Sequence, residues 1–207
     1  RPQANAAPIK ETLAAALCDL ARLRPYHTLY DPMCGSGTIL IEGAMMVHNI
    51  APGVNRYFSA ERWDVIDEKI WADERNRARD LVNYDTDFIA YGSDIDEDAI
   101  EIAKINAKRA GVERKIKFEK ADIRNFEPKS EKGTVICNPP YGERLLDIEE
   151  AQKLYKIMGE KFIRKHGWSY YVISPSEEFE KEFGRKADKR RKLYNGMIKC
   201  QLFMYFK

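Results

Sequence analysis

This sequence of 207 residues has few cysteines, no long apolar run and a net charge of only +2. Its four cysteines lie far apart, without the CxxC pairs of zinc or redox sites: Cys18, Cys34, Cys137 and Cys200. The three histidines lack the close spacing of helical ligands, so we expect no metal. No signal peptide or membrane-spanning run is evident, which favours a cytoplasmic protein away from the membrane. The net charge is too small to indicate a nucleic-acid partner, which would need a local basic patch.

The composition is that of one globular domain, with 44% hydrophobic and 33% charged residues. We therefore treat residues 1–207 as one domain. The first residues are Arg1-Pro2-Gln3 without methionine, so we expect a fragment of a longer protein.

Hydrophobic patterns alternate between strand and helix along the chain. They predict strands at 27–30, 88–94, 116–122, 134–137 and 170–174, and helices at 4–24, 39–47, 96–110 and 148–165. Residues 192–194 and 198–206 are predicted to form a hairpin around Asn195-Gly196, a preferred turn dipeptide. The charged segment 52–85 is predicted to be a helical insertion. These elements predict an α/β fold with a mainly parallel seven-stranded sheet, helices on both faces and an antiparallel C-terminal hairpin.

Two glycines interrupt the turn after the first strand, where residues 31–38 read Asp-Pro-Met-Cys-Gly-Ser-Gly-Thr. Gly35 and Gly37 let the backbone pass close to a ligand, beside the amide groups of a helix N-terminus. The dinucleotide fingerprint requires another glycine where Leu40 stands, and no G-K-[ST] phosphate loop is present. A tight turn without a ligand is the alternative for this segment.

Acidic residues follow two further predicted strands. Asp94 could accept hydrogen bonds from a ribose diol, whereas Asp96 is predicted to cap the next helix. Asp122 could accept a hydrogen bond from an adenine amino group, with Ile123 packed on the ring. Each acid taken singly could equally be a solvated strand end.

Residues 138–141, Asn-Pro-Pro-Tyr, carry the strongest signal. Two prolines directly after a buried strand fix an extended turn, which aims the Asn138 side chain and the Pro139 carbonyl in set directions. Two such acceptors could take both N–H groups of an exocyclic amine and direct its lone pair toward an electrophile. Tyr141 could stack on a planar base. A turn selected only for its rigidity is the alternative.

Together these segments resemble class I S-adenosylmethionine-dependent amino-methyltransferases. Residues 1–16 and 31–44 more narrowly resemble the catalytic domain of the THUMP-associated RNA guanine-N2 methyltransferases, close to the bacterial 23S rRNA enzymes. The resemblance covers essentially the whole chain and implies a Rossmann-like fold. It also implies that an upstream THUMP RNA-binding domain is missing from this fragment.

The resemblance implies a role for each site residue. Those expected at S-adenosylmethionine are Asp31, Pro32, Cys34, Gly35, Ser36, Gly37, Thr38, Asp94, Ile95, Asp122 and Ile123. Those expected at the target base are Asn138, Pro139, Pro140 and Tyr141. Residues 7–12 are expected to lie over the cofactor pocket. We expect direct transfer from the sulfonium to the amine, without a covalent intermediate or a metal.

RNA is the expected substrate, and rRNA processing the expected role. Residues 181–194 contain seven basic and two acidic side chains, a local patch of +5, although a solvated connection is the alternative. A base paired in a duplex cannot reach such a pocket, so a single-stranded, looped or flipped-out target is expected. Asn-Pro-Pro-Tyr also occurs in adenine-N6 and protein glutamine methyltransferases. An adenine-N6 methyltransferase and a catalytically silent cofactor- or RNA-binding module therefore remain alternatives, and the oligomeric state is unknown.

Overall fold

The computed structural model describes residues 9–141 and 145–206 and contains a seven-stranded sheet. The strands are β1 (Thr28–Asp31), β2 (Ile89–Asp94), β3 (Ile116–Lys120), β4 (Gly133–Cys137), β5 (Trp168–Ser174), β6 (Lys189–Asn195) and β7 (Ile198–Tyr205). Their order is β3-β2-β1-β4-β5-β7-β6. Strands β1 to β5 pair in parallel, whereas β7 runs antiparallel to both β5 and β6. The predicted parallel sheet with an antiparallel C-terminal hairpin is confirmed.

Helices cover both faces of this sheet. They are α1 (Glu11–Leu20), α2 (Thr38–Val47), α3 (Glu68–Asp80), α4 (Glu97–Arg109), α5 (Leu145–Lys161) and α6 (Phe179–Phe183). One core lies between the sheet and α1, α2 and α4, and contains Leu17, Leu40 and Ile100. The second core lies on the other face beneath α5 and α6, and contains Tyr155 and Phe179.

The ends of several helices differ from the prediction. Of the predicted helix 4–24, residues 1–8 lie outside the described residues, and α1 ends at Leu20 because Arg22 takes a left-handed conformation with φ of 53°. Helix α5 ends at Lys161 rather than at Lys165. The start of α4 is as predicted, since the Asp96 side chain accepts a hydrogen bond of 3.0 Å from the Asp98 amide.

The hairpin turn lies one residue further along than predicted. Asn195 is the last residue of β6 and pairs with Ile198, so the two turn residues are Gly196 and Met197. Gly196 alone has a positive φ, 60°, which agrees with a type II′ turn that has glycine first. The prediction that Asn195 belongs to the turn was wrong, and its side chain is instead held at the end of a strand.

Segment 52–85 contains a 3-10 turn (Ser59–Arg62) and helix α3, which has no fully buried residue. Arg75 of α3 forms an ion pair of 2.5 Å with Glu61, and Trp71 stacks on Phe58 with ring centroids 5.9 Å apart. Aromatic and charged contacts thus hold this segment together without a core of its own. Within the described ranges, no helix has the length and apolar character needed to span a bilayer.

Candidate active site

Hydrogen bonds join three of the predicted site segments at the carboxyl ends of the parallel strands. The Cys34 amide donates to the Ser93 carbonyl at 2.9 Å, which ties the glycine turn to the end of β2. The Gly35 amide donates to Asp94 Oδ2 at 2.9 Å, and the Ala121 amide donates to the Asp94 carbonyl at 3.0 Å. The ends of β1, β2 and β3 therefore form one connected edge, where ligands of open α/β sheets bind.

The two glycines of the turn have different structural roles. Gly35 has φ of 51°, and a Cβ added to it would meet no atom within 4 Å. Gly37 has φ of 80° and precedes α2, but its added Cβ would lie 3.1 Å from both Ala103 and the Phe118 ring. Gly35 thus borders open space in which a ligand could lie, whereas Gly37 permits close packing of the turn on α4 and β3.

Asp94 organises the end of β2 and retains capacity for a ligand. Its Oδ2 accepts from Gly35 and its Oδ1 accepts from the Asp96 amide at 3.0 Å. Each carboxylate oxygen has a second lone pair, so a diol could still be bound. Ile95, the next residue, is 64% exposed at the same edge.

Asp31 is a carboxyl group buried at the end of β1, with 2% of its surface exposed. Its Oδ1 accepts a hydrogen bond from the Met33 amide at 3.2 Å. Burial, together with the negative charge of Asp94, raises the pKa of Asp31 to about 8, although the Met33 bond opposes this shift. The group therefore holds its proton at neutral pH when no cation lies beside it.

Other residues of the turn stabilise its shape. Ser36 Oγ and Thr38 Oγ1 are 3.1 Å apart, and the Ser36 carbonyl accepts from Asn106 Nδ2 of α4 at 3.2 Å. Pro32 and Cys34 are buried, and burial raises the pKa of the Cys34 thiol far above its usual range. Burial thus keeps this thiol protonated, and a thiol is a weaker nucleophile than a thiolate. Asn106 is a supporting residue that the sequence analysis missed, although a polar side chain among the apolar positions of α4 was a usable signal.

Asp122 lies two residues beyond the end of β3, where it caps a 3-10 turn (Ile123–Asn125). Its Oδ1 accepts from the Arg124 amide at 2.8 Å, and its Oδ2 forms an ion pair with the Arg124 guanidinium at 2.5 Å. These bonds lower the pKa of Asp122. Ile123 is 5% exposed and packs in the second core, so it offers little surface to a ring. The prediction had left both side chains free for adenine, and the structure engages them.

A cavity of about 230 Å³ opens beside these strand ends. It is bordered by Asp31 and Pro32 of the glycine turn, by Ser93 of β2, and by Ala121 and Phe126 of the β3–β4 connection. The cavity thus separates the ends of β1 and β2 from the loop that carries Asp122. Gly35 and Asp94 do not line it, although they lie on the same edge.

The Asn-Pro-Pro-Tyr segment follows β4, which pairs directly with β1. Asn138 is half-buried, Pro139 is buried and Pro140 is exposed. Tyr141 Oη donates a hydrogen bond of 2.5 Å to Asn138 Oδ1. Strand pairing thus places the predicted acceptor segment next to the end of the strand that carries the glycine turn.

Residues distant in sequence anchor this segment, and the sequence analysis missed them. Tyr155 Oη of α5 donates to the Pro140 carbonyl at 3.4 Å and accepts from Ser174 Oγ at 3.1 Å. Asn195 Nδ2 donates to Tyr141 Oη at 3.2 Å. No local pattern marks these partners, because each contact depends on the folded sheet.

Comparisons with known proteins agree with this architecture. Residues 1–203 match the family model described as "UPF0020: RMKL-like, methyltransferase domain". The chain is 43% identical over 206 residues to "Putative RNA methyltransferase YpsC" of Bacillus subtilis (strain 168), covering 100% of this chain and 54% of that protein. It is 39% identical over 211 residues to "Ribosomal RNA large subunit methyltransferase K/L" of Shewanella sp. (strain W3-18-1), covering 99% of this chain and 30% of that protein.

Solved structures give the same result. A "possible methylase" from Clostridium difficile 630 superposes with a TM-score of 0.93 at 51% identity, over 97% of this chain and 53% of that one. SMU.472, "a putative methyltransferase complexed with SAH", has a TM-score of 0.90 at 43% identity, over 97% and 53% of the two chains. A "predicted N6-adenine-specific DNA methylase" from Listeria monocytogenes str. 4b F2365 has a TM-score of 0.90 at 47% identity, over 100% and 53%. The chain spans about half the length of these three proteins.

Proposed function

Because the chain belongs to the UPF0020 family of RMKL-like methyltransferase domains, we propose that it transfers a methyl group from S-adenosylmethionine to the exocyclic N2 amine of guanine in RNA. The observation that carries the proposal is the Asn138–Tyr141 segment at the end of β4, beside the glycine turn at the end of β1. 23S rRNA is the expected substrate, since one relative is named as a methyltransferase of the large ribosomal subunit. Cytoplasmic location follows from this role.

The edge formed by β1, β2 and β3 fits S-adenosylmethionine. The open space at Gly35 accommodates a ligand against the backbone, and Asp94 is half-buried with acceptor capacity left for a ribose diol. The cofactor supplies a methyl group on a positively charged sulfur. Asp31 lies buried on the same edge, and a nearby cation would stabilise its charged carboxylate form. Arg124 makes three hydrogen bonds to Asp122, two of them to Oδ2, so Asp122 would accept from an adenine amino group through the second lone pair of Oδ1.

Asn138, Pro139 and Tyr141 would hold the base that is methylated. The Asn138 side-chain oxygen and the Pro139 carbonyl would accept both N–H groups of the exocyclic amine, which directs its lone pair toward the methyl group. Tyr141 would stack on the ring of the base. The buried thiols at this edge, Cys34 and Cys137, stay protonated because burial raises their pKa, so a direct transfer without a cysteine intermediate is supported.

The basic segment 181–194 supports an RNA substrate. Most of its cations lie on or near β6, which is an edge strand of the sheet. At the end of β6, the Asn195 side chain contacts Tyr141. Lys189, Arg191 and Lys192 are exposed and form no ion pair with any residue in the described ranges, whereas Arg190 pairs with Glu180. Exposed cations on a strand whose end lies at the target pocket suit a phosphate backbone.

The test identifies the methylated nucleoside. This chain is incubated with methyl-labelled S-adenosylmethionine and with rRNA or tRNA from cells that lack the enzyme, and the RNA is digested to nucleosides. We expect label in N2-methylguanosine from rRNA. Label in another nucleoside would overturn the base assignment, and label confined to tRNA would overturn the substrate assignment.

Asn138→Ala separates catalysis from cofactor binding. This variant should lose methyl transfer while its affinity for S-adenosylmethionine, measured by calorimetry, stays close to that of the wild type. Loss of cofactor binding would contradict the proposed role of Asn138 at the target base. A wild-type chain that binds the cofactor but labels no RNA would instead favour a silent module or a protein substrate.

Methylation of adenine N6 is the second candidate. The Listeria structure is named a "predicted N6-adenine-specific DNA methylase" and is 47% identical to this chain. The acceptor segment would present the same two oxygens to any exocyclic amine. The nucleoside analysis separates the two candidates directly. Parallel incubation with DNA also tests the nucleic acid that this neighbour's name suggests.

A further inference from the structure

Three side chains form a hydrogen-bonded chain from the hairpin to the acceptor segment. Asn195 Nδ2 donates to Tyr141 Oη at 3.2 Å, and Tyr141 Oη donates to Asn138 Oδ1 at 2.5 Å. Cys200 Sγ lies 3.8 Å from the same hydroxyl. Asn195 is 54 residues from Tyr141 in sequence, and the sheet brings them together.

Asn195 sets the direction of the Tyr141 hydroxyl proton. A phenol hydroxyl has one proton, and its oxygen can accept from neighbours. Because the Asn195 amide donates to that oxygen, the hydroxyl proton must point elsewhere, and Asn138 Oδ1 is the acceptor at 2.5 Å. Burial raises the pKa of Tyr141, so this proton is present at all physiological pH values.

The donated proton also fixes the Asn138 amide. An asparagine side chain can rotate to exchange its oxygen and nitrogen, but only its oxygen can accept from Tyr141. The bond keeps Oδ1 in place and leaves its second lone pair for another donor. A target amine needs an acceptor at this position, whereas a rotated Asn138 would present N–H groups to N–H groups.

We propose that Asn195 is a positioning residue for methyl transfer, which acts through the Tyr141 hydroxyl to hold the side-chain oxygen of Asn138 toward the target amine. This inference rests on the proposed function, because it assigns Asn138 to the amine. It extends the site to the end of β6, a strand that contains none of the residues predicted from the sequence to contact cofactor or base.

The variant Asn195→Asp gives the sharpest test. Aspartate has nearly the same shape but only accepts, so the Tyr141 proton should turn toward residue 195 and leave Asn138 unrestrained. We expect kcat to fall roughly tenfold, the effect of losing about one hydrogen bond, with KM for RNA and the Kd of S-adenosylmethionine within about twofold of wild type. Asn195→Ala removes the donor without offering a competing acceptor, so its fall in kcat should be smaller. Met197→Ala alters an exposed side chain of the same turn and should leave kcat unchanged.

A double-mutant cycle tests whether Asn195 acts through Tyr141. Tyr141→Phe removes the hydroxyl, so adding Asn195→Asp to it should cause no further fall in kcat. An equal fall in both backgrounds would overturn the proposal, as would wild-type kcat in Asn195→Asp. A fall in melting temperature with a raised KM at unchanged kcat would assign Asn195 a structural role only.

A spectroscopic measurement on the chain without RNA is independent of the proposed substrate. In wild type, the hydrogen-bonded hydroxyl proton of Tyr141 should give an NMR resonance with a nuclear Overhauser effect to the Asn138 side-chain amide, and Asn195→Asp should abolish this effect. If the wild type makes no N2-methylguanosine but this signal behaves as expected, the proposed function fails and the positional role of Asn195 stands. If the signal is the same in both proteins, the inference about Asn195 fails, whatever the outcome for the proposed function.

Discussion

Asp31 carries a carboxyl group where its charged form is poorly solvated. Its pKa of about 8 lies above the value of 3.8 for an exposed aspartate, with burial as the main cause. Between about pH 4 and pH 8 the folded protein keeps a proton that the unfolded chain releases. The free energy of unfolding therefore falls as pH rises through this window, and Asp31 destabilises the empty protein most at pH 8 and above.

We predict that Asp31→Asn stabilises the protein, and more at pH 8 than at pH 5. Asparagine keeps an oxygen for the Met33 amide but has no proton to lose. The gain over wild type should grow by about 3–4 kcal/mol between these pH values, measured by urea unfolding without cofactor. An equal difference at both pH values would show that the carboxyl group does not titrate in this range.

Gly35 and Gly37 offer a matched pair of substitutions. Gly37→Ala should cost about 2–4 kcal/mol of stability, because it combines a positive φ with a Cβ 3.1 Å from Phe118 and Ala103. Gly35→Ala meets no atom within 4 Å and should cost about 1–2 kcal/mol, from backbone strain alone. The two variants should rank in the opposite order for loss of cofactor affinity, because only the Cβ added at Gly35 enters the proposed ligand space. Thermal unfolding and calorimetry with S-adenosylmethionine check both orders, and equal losses of affinity would refute the distinction.

Residues with a local signal were predictable, and those with distant partners were not. Glycines between a strand and a helix, acids at strand ends and paired prolines mark themselves through backbone chemistry. Tyr155, Ser174 and Asn195 carry no such mark, because their hydrogen bonds connect separate elements across the sheet. The ion pair between Arg124 and Asp122 is local, but strand alternation alone gave no indication that the strand stops before Asp122.

At the scale of elements, α3 differs from the other long helices. It has no fully buried residue, whereas α4 buries Ile100, Ala103 and Ala107. Contacts such as the Arg75–Glu61 ion pair connect α3 to the neighbouring turn. Its stability thus depends on exposed and partly exposed groups, which open more easily than a packed core.

We predict that amide hydrogens of residues 68–80 exchange at least about a hundredfold faster than those of residues 97–109. Arg75→Ala removes the ion pair with Glu61 and should speed exchange in α3 while α4 stays as in wild type. Hydrogen exchange followed by mass spectrometry measures both helices in one sample. Equal protection of the two helices would mean that α3 belongs to the cooperative core.

Element types were predictable because the hydrophobic period differs between strand and helix. Their ends were less so, since they depend on single residues in unusual conformations. Arg22, with φ of 53°, ends the turn after α1, although the apolar spacing continues to Leu23. The dipeptide Asn195-Gly196 favours a turn of type I′, but the register places Gly196 first in a turn with Met197. The pairing of β6 with β7 outweighed the local preference.

Considered as a whole molecule, the protein has a charge of only +2, yet three exposed cations without an ion pair to any described residue lie together on β6. Replacing Lys189, Arg191 and Lys192 by alanine should weaken binding of single-stranded RNA and flatten its dependence on salt. The slope of log K against log salt should fall in magnitude by about 2, for three lost phosphate contacts. Titrations at several salt concentrations measure this.

A second triple variant serves as the control. Lys108, Arg109 and Arg114 are equally exposed and basic, but they precede β3 at the opposite edge of the sheet. Their replacement by alanine changes the net charge by the same amount and should leave the slope near that of wild type. If both triple variants lose equally, RNA binding depends on overall charge and not on the β6 strand.

The order of strands in the sheet could be predicted from the family resemblance but not from the hydrophobic pattern of the sequence. Alternation of strands and helices indicates a parallel sheet, but it does not say that β4 lies beside β1. That adjacency brings the acceptor segment to the glycine turn, and it exists only in the assembled sheet.

The position of β6 at the end of the sheet also bears on self-association. A terminal strand presents backbone groups to which a strand of another copy could add, and closely spaced lysines and arginines oppose this by repulsion. The same cations that would attract RNA would therefore keep neighbouring copies apart. Replacing these cations by alanine removes the repulsion, so the alanine variants should precipitate at lower protein concentration than the wild type. Bound RNA should keep the wild type dispersed only until the RNA has neutralised the cations of β6.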